Sequence, residues 1–543
     1  MLFKKVFEGF CHDTTLAGWA QLGKAKTSSM RIFWAAIILI AHVCMLVLSY
    51  FITSDFVQSG TLPIIKTTSG SIKDLEFPAI AICNVNQIQA SFARKMSFLD
   101  NEQKLQVFKS EFMSGRVHEL SIEENLQLKL VKEKLREEFG WNETKFATDY
   151  SAQKCSDMFL YGYWQGQSNL FEGYNAPDLD SIAFLSRNDA GTCCYIWLKN
   201  FIKTVQMKSS IEYGLHLVLD VEAHEYFDSS YGSQGFKFWN ADPTRKPLLS
   251  FSQVNLSPGL EYLIEITSTL VNISKEAVIR FYPEERDCHV NEEFVLKHFN
   301  IAGLNIADYS YSLDNCYYNA AIEKTYTNCN CSSPYHPTID LQLNRNVCTG
   351  KAKACELEQL MSVLQGTSTA MSPGIDGVFR KCLPACTNQH EEAKASSKKY
   401  PVRQTFHKRN DVCLAFKKIL KMCSNEHRKF TFEEGYGTLI ACSSILEANT
   451  KGICMNNKFN QSVNPDLTSA LFTYASENFV SAQIYVKNPF YTLITKESQI
   501  GLGAFIGNLG GIFGMLLGLT AFGVIEVLSF LFLFVLQMCK SPE

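Results

Sequence analysis

The sequence lacks the marks of an enzyme. It has no glycine-rich phosphate loop, no carboxylate set at metal-ligand spacing, and no nucleophile placed beside a histidine in a catalytic motif. It lacks an excess of either charge: 51 Lys and Arg stand against 54 Asp and Glu, a net charge of −3. That removes the electrostatic footprint expected of a nucleic-acid binder. Paired C-x-x-C sets are missing, so Cys329-Asn-Cys331 does not read as part of a zinc site. No small-residue cleavage pattern follows the first apolar run, which is too long and starts too late for a secretory signal. No metal or cofactor is expected.

Cysteine, by contrast, is plentiful. Sixteen of the nineteen cysteines lie between Cys83 and Cys454. An even central set points to disulfides formed in an oxidising compartment. Two apolar runs flank that region. Ile32 to Ile52 is interrupted only by His42 and Ser49, and its 21 residues span about 30 Å as a helix, one hydrocarbon core. The second run, about Ile500 to Met538, carries one charge, Glu526, and exceeds one straight crossing. Lys4, Lys5, Lys24, Lys26 and Arg31 precede the first run against Glu8 and Asp13. This bias places the N-terminus in the cytosol, and two crossings return the C-terminus there.

The expected division is a cytosolic segment 1–30, a first membrane helix 31–53, an extracellular domain 54–494, a second, pore-lining helix 495–538 and a cytosolic tail 539–543. Sequons at Asn142, Asn255, Asn272 and Asn460 all fall in the outer region, as glycosylation would require. Inside it, Leu75 to Cys83, Gly214 to Val221 and Ala482 to Lys487 read as strands. Glu119 to Phe139 reads as an amphipathic helix. Helical patterning accompanies the cysteines of 312–390, and 391–460 is polar. A mostly β scaffold with peripheral helices follows.

The second apolar run is rich in glycine. Gly503, Gly507 and Gly511 recur every four residues, as do Gly510, Gly514 and Gly518. Each costs a helix about 1 kcal/mol relative to Ala, so a plain anchor has no use for them. Two readings stand: a tight helix pair without a pore, or a helix broken where it lines water. Glu526 favours the second, because an ionisable group at membrane depth usually faces a wet cavity. Copies arranged around an axis would make a ring of negative charge that concentrates cations.

These residues resemble the degenerin/epithelial sodium channel superfamily, which includes acid-sensing and peptide-gated channels, over nearly the whole chain. Gly507-Asn-Leu-Gly-Gly-Ile-Phe-Gly-Met-Leu-Leu-Gly518-Leu-Thr520 with Glu526 is similar to its second membrane helix. Phe77-Pro-Ala-Ile-Ala-Ile-Cys-Asn84 resembles its first ectodomain strand, and Tyr326-Thr-Asn-Cys329-Asn-Cys331 its thumb motif. The resemblance implies a homotrimer of two-helix subunits. Each would carry a disulfide-rich α+β ectodomain, a palm and β-ball core with helical finger, thumb and knuckle. It implies a selectivity filter at Gly518, Leu519 and Thr520, where Thr replaces the family's Ser. Gly507, Asn508, Gly511, Gly514 and Glu526 would line the pore and gate, Asn508 replacing the usual Asp. A re-entrant N-terminal motif falls on Ala17 and Gly18, with Ala where the family has His. The implied bridges are Cys83–Cys194, Cys288–Cys386, Cys316–Cys382, Cys329–Cys355 and Cys331–Cys348. Cys155–Cys193 is the leftover pair, and Cys413, Cys423, Cys442 and Cys454 stay unassigned. The aromatic that couples ectodomain to pore in acid-sensing members falls on Glu285.

The expected function is a sodium-conducting, amiloride-sensitive, ligand-gated channel subunit of the plasma membrane, opened by an extracellular neuropeptide. The segments Phe159-Leu-Tyr-Gly-Tyr-Trp164 and Tyr226-Phe227 suit a peptide or a core equally. The ligand-binding residues are unassigned. A proton-gated or mechanically gated member of the same superfamily is the alternative. Glu284-Glu285, Glu391-Glu392 and Glu433-Glu434 are its paired carboxylates, and such surface pairs are more often simply solvated. His42 reads as a packing or cavity-facing group. A two-pass scavenger-type receptor shares the topology but needs neither the glycines nor Glu526. An ectoenzyme would need the missing phosphate and metal motifs, and an ATP-gated channel a lysine cluster.

Overall fold

The fold was analysed in a computed structural model. The structure describes residues 2–96, 103–104, 107–108, 121–139, 152–164, 171–172, 183–188, 191–198, 207–227, 233–241, 254–290, 293–298, 310–332, 348, 351–366, 382–408, 411–425, 442–450, 453–455, 458–459 and 465–539. They form two units. The smaller comprises Met1–Ile64, Ile273–Arg286 and Thr495–Glu543, and the larger Ile65–Asn272 and Asp287–Ile494.

The larger unit is built on two sheets. In the first, Leu260–Ile273 pairs antiparallel with Asn388–Lys399 and parallel with Phe479–Val486. Phe479–Val486 pairs antiparallel with Leu215–Asp220, which pairs with Phe159–Trp164. The second sheet runs in the order Ala183–Asn188, Gly191–Ile196, Ala79–Asn84, Phe236–Ala241, Val254–Leu256, with neighbours antiparallel. Side chains alternate across a strand, and Ala79–Asn84 uses both faces. Ile80 and Ile82 enter the main core with Phe159, Leu217, Ile264 and Ile484, while Ala81 and Cys83 pack with Tyr195 and Trp239. A strand buried on both faces needs a continuous apolar run, which Phe77 to Cys83 supplies.

Helices cover this scaffold. Ile122–Phe139 buries Val131 and Leu135 against Ile88, Phe92 and Phe108. Asp411–Asn425 and Pro465–Asn478 share a second core. The described residues of the polar stretch 391–460 include most of the strand Asn388–Lys399, the helices Asp411–Asn425 and Cys442–Thr450 and the short strand pair Cys454–Met455 and Lys458–Phe459. Leu313–Cys329 and Lys351–Gly366 are tied by Cys329–Cys355, and Cys316–Cys382 and Cys288–Cys386 anchor their base. Cys331–Cys348 and Cys413–Cys454 are the further bridges of these regions.

One expected pairing is exchanged. Cys83 bonds Cys193, and Cys155 bonds Cys194. The register explains it. Ile82 lies opposite Cys194, so the next residue, Cys83, faces Cys193 on the same side of the sheet. Cys194 points to the other face, where Cys155 lies among the core residues. Neighbouring cysteines on a strand cannot share a face, and a one-residue slip swaps their partners.

Of the aromatics that suited a peptide or a core, Phe159 and Trp164 belong to the core, while Tyr161 and Tyr163 are half-buried. Phe159, Leu160 and Trp164 are buried, and the Tyr226 hydroxyl donates to Asn84 Oδ1 at 2.8 Å. Sequons Asn255 and Asn272 sit exposed on strands, while Asn142 and Asn460 lie outside the described residues.

In the smaller unit, Ser28–Gln58 is one helix of 31 residues, none of them buried in the chain, and about 46 Å long. It is apolar enough to cross a membrane. The strand Phe490–Ser498 occupies the start of the expected second span, so helix begins only at Leu502.

Candidate functional site

The second apolar run is two helices, Leu502–Leu517 and Ala521–Cys539, bent by 69° at Gly518-Leu519-Thr520. The break follows from its residues. Gly518 has φ +64°, a left-handed conformation that glycine adopts without strain and that ends helices. Its N–H donates to Gly514 O at 2.9 Å, and Leu519 N–H to Phe513 O at 3.2 Å. Thr520 starts the next helix: its hydroxyl accepts from Gly523 N–H at 3.2 Å and its carbonyl from Val524 N–H at 3.1 Å. This is an N-cap, a role that Ser and Thr share. The hydroxyl at position 520 thus has a structural task, which Thr meets as Ser would.

The N-terminal segment is packed onto this break. Ala17 N–H donates to Leu517 O at 2.9 Å. A Cβ on Gly518 would lie 3.3 Å from Ala17 N and 3.4 Å from Ala17 Cβ. Thr15 donates to Glu526 Oε2 twice, from its N–H and its hydroxyl, each at 3.0 Å. Gly18 has φ +86°, and a Cβ there would meet Ile38 at 3.1 Å. Its freedom lets the segment turn into the helix Trp19–Lys24. Trp19 stands edge-on to His42, whose Nδ1 lies 2.7 Å from Ile38 O. His42 therefore packs and bonds within its own helix. The Ala17 contact uses the backbone, so losing the family's His leaves that bond intact.

Gly507, Asn508, Gly511 and Gly514 are brought to no common cluster in the chain. A Cβ on Gly503, Gly507, Gly510 or Gly511 would meet nothing within 4 Å, and Asn508 is exposed. Packing within this chain gives those glycines no reason to exist.

The sequence reading missed a collar at the other end of the half-helix. The short helix Lys275–Arg280, capped by Ser274 Oγ accepting from Ala277 N–H at 3.2 Å, touches both the helix Ser28–Gln58 and the start of Leu502–Leu517. Glu276 Oε1 accepts from Leu502 N–H at 2.8 Å and from Ser498 Oγ at 3.2 Å, so a carboxylate caps the half-helix where its dipole is positive. Arg280 donates to Ile500 O at 2.6 Å, to Ser59 Oγ at 3.0 Å and to Phe56 O. Its guanidinium lies 3.5 Å from the centre of the Phe56 ring, which stacks on Phe505 at 4.1 Å. Two charged residues four apart after a serine cap were the available signal. Glu285, where an aromatic was expected to couple, instead accepts from Tyr282 N–H within its own turn.

The larger unit holds a second unforeseen group. Lys418 bridges Glu222 and Asp220, the latter at 3.4 Å, and all three are buried. Tyr474 donates to Asp220 Oδ2 at 3.0 Å. Burial, the largest effect, and the charges of Asp220 and Asp157 push the Glu222 carboxyl up to about 7 against the pull of Lys418. Burial also raises Asp220. For Lys418 burial opposes the charge, but Glu222 and Asp220 outweigh it and hold the ammonium above its ordinary range.

A family model described as amiloride-sensitive sodium channel matches residues 10–530. The chain is also 21% identical to Pickpocket protein 28 of Drosophila melanogaster, over 98% of this chain and 78% of that protein.

Proposed function

The chain belongs to the amiloride-sensitive sodium channel family, and on that premise we propose that it is one subunit of a trimeric, ligand-gated sodium channel. The observation that carries the reading is the break at Gly518-Leu519-Thr520 in an otherwise apolar run. A break frees backbone carbonyls, and at membrane depth these are tolerated where they line water. Carbonyls from three copies around an axis would take the place of an ion's hydration shell. Glu526 would add negative charge beyond this throat, oriented by Thr15. The open glycines of Leu502–Leu517 would face the other copies, with close approach of their backbones. Both termini would lie in the cytosol and the larger unit outside.

Opening requires an agonist that binds the open state more tightly than the closed. Strands Thr61–Ser71 and Phe490–Ser498 carry the chain between the ectodomain and the membrane helices. The collar of Glu276 and Arg280 would tie the outer ends of those helices together, so they would move as one. A neuropeptide is the first candidate, supported by the long cysteine-bearing stretch 391–460, which departs from acid-sensing members, and by the absence of one of their thumb bridges, whose two positions fall here on Ala320 and Arg380. Protons are the second reading, favoured by two buried carboxylates sharing Lys418.

Whole-cell recording from cells expressing the chain, with neuropeptide pools and with acid, tests this. The expected result is an inward current blocked by amiloride and abolished when N-methyl-D-glucamine replaces sodium. Capture of ligand at the surface with no current under any condition would favour the scavenger-type receptor instead.

A further inference from the structure

The collar carries two bare apolar side chains that the channel reading leaves unused. Among the described residues of the smaller unit, large apolar side chains at least 70% exposed lie on Ser28–Gln58 and on the two half-helices, with two exceptions. Ile279 is 86% exposed and Tyr282 is 74% exposed, on Lys275–Arg280 and the turn that follows it. The same segment turns Ala277 and Phe281 inward, and both are buried. It is therefore two-sided: one side closes on its own chain and the other offers apolar bulk to the surroundings. Apolar residues exposed singly are ordinary, but two within four residues, beside a helix able to cross a membrane, call for a reason.

The collar's bonds fix its depth. Arg280 donates to Phe56 O and to Ser59 Oγ. The apolar run of that helix ends at Ile52, so Phe56 and Ser59 stand about 6 Å and about 10 Å past it. Lipid headgroups add about 5–8 Å on each side of the hydrocarbon core, which puts Arg280 at the outer headgroup layer. Val57, next to the carbonyl that Arg280 holds, is 72% exposed. The apolar surface of the span thus continues up to the level of the collar. The neighbouring residues suit the same layer. A tyrosine ring is amphipathic and collects at membrane–water boundaries. Lys275 is exposed and makes no ion pair among the described residues, and its charge matches a lipid phosphate. Glu284 and Glu285 follow at once and are exposed, and carboxylates that keep their water stop the segment from sinking into the hydrocarbon.

We propose that Ile279 and Tyr282 dock on the outer leaflet, seated among phospholipid headgroups, so that the collar grips lipid as well as the two helix ends. The proposal rests on the reading that Ser28–Gln58 spans the bilayer, and its test separates the two.

The test is fluorescence quenching of the full-length protein in nanodiscs of phosphatidylcholine, brominated either near the headgroup or near the chain ends. The protein carries Cys11→Ala, Cys44→Ser and Cys539→Ser, and one added thiol, Ile279→Cys or Tyr282→Cys, is labelled with bimane. Two further proteins serve as rulers. In one, Cys44 is kept as the labelled thiol, exposed near the middle of the apolar run. In the other, the label sits on Ile122→Cys, a position 90% exposed in the larger unit. The labels at 279 and 282 should lose more fluorescence to the shallow bromines than to the deep ones. The Cys44 label should show the reverse order, and the label at 122 should lose none to either. Either collar position serves if the other variant does not fold. Collar labels that behave like the one at 122 overturn the proposal. Disulfide bonds between copies through Ile279→Cys also overturn it, by giving the patch to a second copy. With the Cys44 label quenched, such a failure leaves the span standing. An unquenched Cys44 label defeats the span and the proposal together.

Discussion

The two units of this molecule contrast in how far each satisfies its own residues. In the larger, the apolar side chains of both sheets meet in a common core, and the seven disulfides named above close within it. In the smaller, no residue of Ser28–Gln58 or of Leu502–Leu517 is buried, and four glycines of the half-helix have open space where a Cβ would go. A glycine without a close neighbour is a helix cost of about 1 kcal/mol with nothing set against it. The contrast teaches that the larger unit meets its packing needs within one chain, while the smaller leaves its apolar helices and four glycines facing open space.

The largest expected effect lies inside the self-sufficient unit. Lys418→Met leaves Asp220 and Glu222 buried without their cation, and should cost about 3–5 kcal/mol of stability. Thermal unfolding of the purified protein would read it, and an unchanged midpoint would mean the group is not closed as described. Next comes Arg280→Gln, which removes the fork joining Phe56, Ser59 and Ile500. A loss of about 1.5–3 kcal/mol is expected from bonds to a charged donor. It would appear as a shift in the agonist concentration for half-maximal current. Arg280→Lys should not restore it, because an ammonium cannot reproduce the fork. A normal dose–response in both variants would show that the collar couples nothing.

Smaller effects sharpen the contrast at the break. Thr520→Ala should destabilise the second half-helix by about 1 kcal/mol through the lost cap, and Thr520→Ser should be nearly neutral. Equal sodium-to-potassium permeability ratios in the two variants would argue against any need for that hydroxyl. Last is a slope with pH. The Glu222 carboxyl sits at about 7 when folded against 4.5 ordinarily. The folded state therefore binds the extra proton, and its contribution is fully present below about 4.5 and lost as pH rises to about 7. Glu222→Gln should flatten unfolding midpoints across that window, and an unaltered slope would place the titration elsewhere.

How much of this was legible varies for physical reasons. Glycine spacing, the lone Glu526 and the apolar run of Phe77 to Cys83 carry local signals, and local patterns can be read from a chain. The partners of Cys193 and Cys194 cannot, because adjacent residues on a strand take opposite faces and only the register decides. Glu222 and Lys418 lie 196 residues apart, and nothing near either announces a buried ion group. Glu276 and Arg280 look like an ordinary polar helix face, and their role depends on Phe56 and Leu502, more than 200 residues away in sequence.

The central claim is that the broken helix lines a conducting, water-filled path, with Gly507 facing it. Recording from cells that express Gly507→Phe, with surface labelling as a control, addresses this most directly. The account predicts a standing, amiloride-blocked sodium current without any agonist, because a bulky side chain on the open face would hold neighbouring helices apart. Variant protein that reaches the surface yet passes no current would contradict it.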